Sequence, residues 1–181
     1  MVVALPAASA CRVLGLDPGS RRTGYGIVDC GAGGGERHVA SGHIAVGGAE
    51  LAPRLRAIFE AVVALVEEHR PDEVAIERVF VHVNPDSALK LGQARGAALC
   101  AALVRGAPAH EYAPRAIKMA VTGYGAADKA QVAQMVTTLL RLPSRPMADA
   151  ADALAVALCH AQTRRLGALG AAGRVRARGR G

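Results

Sequence analysis

The chain has very few aromatic side chains: no tryptophan, two phenylalanines and three tyrosines in 181 residues. Half of it is nonetheless hydrophobic, so the core must be built from Ala, Val and Leu, and the length suits one domain. No apolar run reaches the roughly 18 residues that a membrane-spanning helix needs. No basic residue precedes the apolar residues 1–10, which makes them a poor signal peptide. They read as an extension (residues 1–11) before the first strand, and a cytoplasmic location is expected. The cysteines (Cys11, Cys30, Cys100, Cys159) include no CxxC pair, so they suggest neither a zinc site nor a disulfide framework. Reduced, buried thiols are expected. The last 18 residues contain no acid and six arginines. Without these the net charge falls from +7 to +1. Residues 164–181 therefore read as a disordered basic tail that attracts phosphates without reading sequence, or merely solubilises.

Between extension and tail, residues 12–163 alternate short apolar runs with helical patterns. Residues 12–17, 23–29 and 38–46 read as an antiparallel three-stranded meander. Residues 51–69 carry Leu55, Ile58, Phe59, Val62, Leu65 and Val66 at helical spacing, and Pro71 stops them. A strand at 73–77, a helix at 87–105 capped by Ser87, and a strand at 110–112 follow. Then come a short helix opened by Pro114, a helix at 128–141 capped by Asp128, and a last helix at 148–164. This order implies an α/β fold with a mixed five-stranded sheet flanked by helices.

Four carboxylates lie against apolar sequence. Asp17 and Glu77 end strands, and Asp149 and Asp152 share one helix face at i, i+3. A buried carboxylate must be neutralised, paired or bound to a metal. Strand-end acids from neighbouring strands can converge at one sheet edge, where a packed helix can present two more. Mg²⁺ or Mn²⁺ would offset such a group, and two ions roughly 3.5–4 Å apart can clamp an in-line displacement at phosphorus. By spacing alone a blander reading stands beside this one. Asp149 and Asp152 would then complement a helix dipole, Glu77 would pair with Arg78, and Asp17 would be a turn residue.

The residues around these acids resemble the motifs of the RuvC family of Holliday junction resolvases. Residues 16–26 (LDPGSRRTGYG) are similar to its first motif and residues 75–80 (AIERVF) to its second. Residues 84–96 (NPDSALKLGQARG) are similar to its long internal signature and residues 148–155 (ADAADALA) to its last acidic motif. The likeness runs from about Arg12 to His160. It implies a ribonuclease H-like fold, a homodimer, and Mg²⁺-dependent paired nicking of four-way DNA junctions in DNA recombination and repair. It also implies work beside a branch-migration motor and its junction-binding partner. The family's catalytic and metal-binding acids carry over onto Asp17, Glu77, Asp149 and Asp152. Two Mg²⁺ per subunit are implied, with Mn²⁺ as a substitute. Some relatives carry a histidine where Asp149 stands, so an all-oxygen site is expected here.

Phe80 matches an aromatic that can stack on a base at the crossover, worth about 1–3 kcal/mol. Lys118 and Lys129 match basic positions near the scissile phosphate. Arg21, Arg22, Arg78 and Arg115 are further candidates for phosphate contacts. Small residues on the helix at 87–105, including Gly92 and Gly96, would let two copies of it pack across a two-fold axis. Two other readings compete. In an ATPase of the actin and sugar-kinase kind, residues 17–19 would form a phosphate loop, although no second such loop is present. A junction-binding module without catalysis would gain nothing from four acids beside the phosphate.

Overall fold

The computed structural model describes residues 9–178 except 20, 32–34, 48–49 and 79–84, with side chains described as far as residue 169. Strands β1 (Cys11–Pro18), β2 (Arg22–Cys30) and β3 (Glu36–Ala45) form the expected antiparallel meander. β4 (Glu73–Glu77) then pairs parallel to β1, and β5 (Ala109–Tyr112) parallel to β4. The sheet order is β3-β2-β1-β4-β5.

Period-two alternation divides the core between the two faces of this sheet. Leu14 and Leu16 of β1, Ile27 of β2 and Val74 and Ile76 of β4 pack with helices α1 (Leu51–His69) and α2 (Pro85–Ala102). Val13, Val28 and Ala75 face the other way, toward α3 (Pro114–Thr122), α4 (Lys129–Leu139) and α5 (Ala148–Arg178). Asp17 and Glu77 share the parity of Val13 and Ala75, which directs both toward α5.

Local signals account for the helix ends. α1 stops at Arg70, which takes the left-handed conformation and donates its N–H to the Val66 carbonyl; Pro71 follows. Pro114 opens α3, and Gly123 closes it at φ 75°. Asp128 and Gln131 form a reciprocal capping box at the start of α4, with N–H···O distances of 2.8 and 2.9 Å. That box fixes the backbone immediately before Lys129.

Three expectations need correction. Helix α2 starts at Pro85 and ends at Ala102, so Ser87 lies inside it and is not its cap. Cys100 is exposed on α2, whereas the other three cysteines are buried. The basic tail does not begin as disordered chain at residue 164, because α5 continues to Arg178. Ala, Leu and Arg are strong helix formers and carry the helix past Gly167. Arg164 is also anchored, its Nε lying 2.9 Å from Glu73 Oε1. Residues 1–8 of the N-terminal extension lie outside the described residues. Among those described, no helix is long and apolar enough to cross a membrane.

Candidate active site

The parallel register of β1 and β4 sets Leu16 opposite Ile76, so the next residues, Asp17 and Glu77, stand side by side where the two strands end. Two carboxyl groups this close disfavour double ionisation. Burial, and then the neighbouring Asp17, push the Glu77 carboxyl up to about 8. Asp17 is also raised, chiefly by burial. The pair is therefore short of positive charge.

Helix α5 brings the other two acids over this pair because β1 and β2 offer it glycines. A Cβ on Gly15 would lie 2.3 Å from the Ala153 carbonyl oxygen, and one on Gly24 would lie 2.0 Å from that of Asp149. Gly26 meets Leu154 in the same way. The helix backbone thus rests directly on the strands, and its first turn carries Asp149 and Asp152 to the end of the sheet.

Asp17, Glu77 and Asp152 line a cavity of about 170 Å³, with Lys118 from α3, Lys129 from α4, and Pro114, Ile117, Val132 and Ala155 completing its wall. Lys129 Nζ lies 3.0 Å from Asp152 Oδ2, and this contact raises the ammonium's pKa. Asp149 is not part of the lining. Its Oδ2 lies 3.7 Å from Nη1 of Arg22, which places it at the rim. It still adds to the negative charge felt by Asp17.

The structure therefore brings together three of the four acids and both lysines, with Asp149 and Arg22 beside them. Arg78 is directed elsewhere: its Nε lies 3.7 Å from Glu111 Oε2 on β5. Arg115 is exposed on α3, where its side chain would meet a Cβ on Gly125. Neither lines the cavity. Phe80 lies outside the described residues. Sequence reasoning missed Arg95, which donates to the Glu77 carbonyl at 3.2 Å and pairs with Glu111 at 2.9 Å.

The donor set suits a hard divalent cation. It consists of carboxylate oxygens only, and the raised Glu77 carboxyl marks where a cation would relieve like-charge crowding.

A mixed sheet of this order, with acids at the ends of β1 and β4 and a helix bearing two more, defines the ribonuclease H-like class. The sequence profile described as "Crossover junction endodeoxyribonuclease RuvC" matches residues 13–160. The protein of that name from Halorhodospira halophila is 58% identical over 154 residues, covering 84% of this chain and 91% of the relative. The one from Alkalilimnicola ehrlichii is 55% identical over 149 residues, covering 82% and 90%. Among solved structures, Thermus thermophilus RuvC in complex with a Holliday junction substrate is 35% identical, with a TM-score of 0.80 over 87% of this chain and 97% of that one. The chain belongs to the RuvC family of crossover junction endodeoxyribonucleases.

Proposed function

We propose that this protein resolves Holliday junctions by Mg²⁺-dependent hydrolysis of two symmetrically placed phosphodiester bonds. The observation that carries this reading is the half-buried Asp17–Glu77 pair, set side by side at the ends of β1 and β4. It faces Asp152 and two lysines across one cavity. A purely structural ion-pair network would not set two half-buried acids side by side.

Asp17, Glu77, Asp149 and Asp152 would hold two Mg²⁺, with Mn²⁺ as a substitute. When bound, these ions supply Lewis acidity, making water a better nucleophile and neutralising charge on the phosphoryl group. The chain's own groups do the remaining work. Lys118 and Lys129 hold the scissile phosphate and oppose the charge that grows on it during displacement. Lys129 exchanges its contact with Asp152 for the phosphate as the acids take up cation. Arg22 holds Asp149 at the rim. Arg78, Arg115 and Phe80 contact DNA outside the cavity, the arginines through phosphates and the aromatic ring by stacking.

Paired nicks require two such sites on one junction, and a homodimer supplies them. The outward face of α2 supports this arrangement. A Cβ on Gly92 or Gly96 would meet nothing within 4 Å among the described residues, so packing among those residues does not explain these glycines. Leu89 on the same helix is 63% exposed. In the cytoplasm the dimer would act beside a branch-migration motor and its junction-binding partner.

The test is to map the nicks on a synthetic four-way junction with and without Mg²⁺. Paired cuts in strands of like polarity are expected, and Asp17→Asn should bind the junction without cutting it. Equal cutting of linear duplex, or cleavage that survives Asp17→Asn, overturns the proposal.

A further inference from the structure

At the opposite end of β4 from Glu77 lies a second constellation of ligand-type side chains. Glu73 opens β4, His110 lies in β5 and His160 in α5. Each offers one ligand atom, and these atoms all lie within 4.8 Å of one another. Among the described residues it is the single such group of His, Cys, Asp and Glu. Glu73 and Glu77 face the same side of the sheet, but four residues of strand separate them by about 13 Å. The constellation is therefore distinct from the cleavage cavity.

Its geometry is specific. His160 Nε2 lies 2.6 Å from Glu73 Oε2, and His110 Nε2 lies 3.5 Å from the same oxygen. The two imidazoles sit with centroids 4.4 Å apart. His160 is 1% exposed, and its Nδ1 is 2.7 Å from the Tyr112 hydroxyl. Without metal, Nε2–H donates to Glu73; when Nδ1–H donates to the Tyr112 oxygen instead, the Nε2 lone pair is free to bind a cation beside Glu73. A buried histidine whose second nitrogen is held by an outer partner is the usual arrangement of a metal ligand. An ion pair accounts for Arg164 on Glu73, and a hydrogen bond from Nε2–H accounts for His160 there. Neither accounts for a second imidazole brought to the same carboxylate oxygen.

We infer that Glu73, His110 and His160 form a binding site for a transition-metal dication of the Zn²⁺ class, with water as fourth ligand, that ties β4, β5 and α5 together. Bonds of about 2.0–2.1 Å in a tetrahedral site place neighbouring ligand atoms about 3.3 Å apart. The His110–Glu73 separation already matches. The His160–Glu73 separation opens by less than about 1 Å, while Arg164 keeps Oε1. Two imidazoles and one carboxylate select against Mg²⁺, as the oxygen-only acids at the other end of β4 select for it. The His110 side chain is 43% exposed, so the ion has a route in.

The full-length protein in excess Mg²⁺, which occupies the carboxylate site, is titrated with Co²⁺ and then Zn²⁺. Expected are a visible d–d absorption band of tetrahedral intensity at one Co²⁺ per chain, its loss on adding Zn²⁺, and a rise in melting temperature with Zn²⁺. His110→Ala changes a half-exposed ring and should fold normally while losing both the band and the thermal shift. Tyr112→Phe should keep the band and weaken binding about 10-fold or more, because His160 loses its outer partner. A band that persists in His110→Ala, or the absence of any band or thermal shift in the unaltered chain, overturns the inference.

Discussion

Burial and the adjacent Asp17 push the Glu77 carboxyl of the metal-free protein up from 4.5 to about 8, which favours its neutral form at pH 7. The folded-state pKa lies above the unfolded one. The resulting stabilisation is complete below about 4.5 and is lost as pH rises toward about 8. Without metal, the melting temperature should therefore fall across that window, and Mg²⁺ should flatten the fall. Asp17→Asn removes the like charge and should raise the metal-free melting temperature at the alkaline end. Calorimetry in EDTA and in Mg²⁺ checks both statements, and a flat profile in EDTA contradicts them. Lys129 has a different role. Its ammonium sits on Asp152 in the free protein and turns to the phosphate in the proposed complex. Lys129→Ala should lower kcat about 100-fold, the loss typical of a transition-state charge stabiliser, with a much smaller change in junction affinity. Single-turnover cleavage beside a binding titration separates the two effects.

The glycines of β1 and β2 matter through helix α5. Gly24 belongs to β2, yet a Cβ there would strike the carbonyl of Asp149. Gly24→Ala must push the first turn of α5 off the sheet. Overpacking of this kind costs about 1–3 kcal/mol. The larger effect falls on function, because the displaced turn carries two of the four acids. Cleavage at a temperature where the variant remains folded should drop by more than 10-fold, and Mg²⁺ should stabilise the variant less than the parent. Thermal melts with and without Mg²⁺, alongside the cleavage rate, test this. The corrected end of α5 belongs to the same scale. Composition past residue 164 resembles a solvated tail, but a helix already docked on the sheet, and held by Arg164 on Glu73, extends at one hydrogen bond per added residue.

The whole molecule gathers Asp17, Glu77, Asp149 and Asp152 at one end of the sheet and leaves the outer face of α2 open among the described residues. Gly92 and Gly96 are tolerated within a helix at a cost of about 1 kcal/mol each relative to alanine, which points to close approach by something outside the chain. Gly92→Leu should leave the fold intact, or stabilise it, while shifting a dimer toward monomer in sedimentation. On a four-way junction, paired nicks should give way to single, uncoupled ones. A variant that remains dimeric and still nicks in pairs argues against α2 as the interface.

Much of this was legible in sequence because it is local. The strand and helix patterns, the Pro114 helix start, the Asp128 cap and the acidic motifs each depend on residues close along the chain. They fixed the element order and named Asp17, Glu77, Asp149 and Asp152 before any pairing was known. Only the tertiary structure decided what depends on distant segments. Parallel pairing of β1 with β4 set Asp17 beside Glu77 and so raised the Glu77 carboxyl. Close docking of α5 decided that Asp152 enters the cavity while Asp149 turns to Arg22 at the rim. The same docking brought Glu73, His110 and His160 together from three elements far apart in the chain. No spacing rule finds such a cluster, because sequence periodicity tells which face a side chain takes but not which strand or helix will lie opposite it.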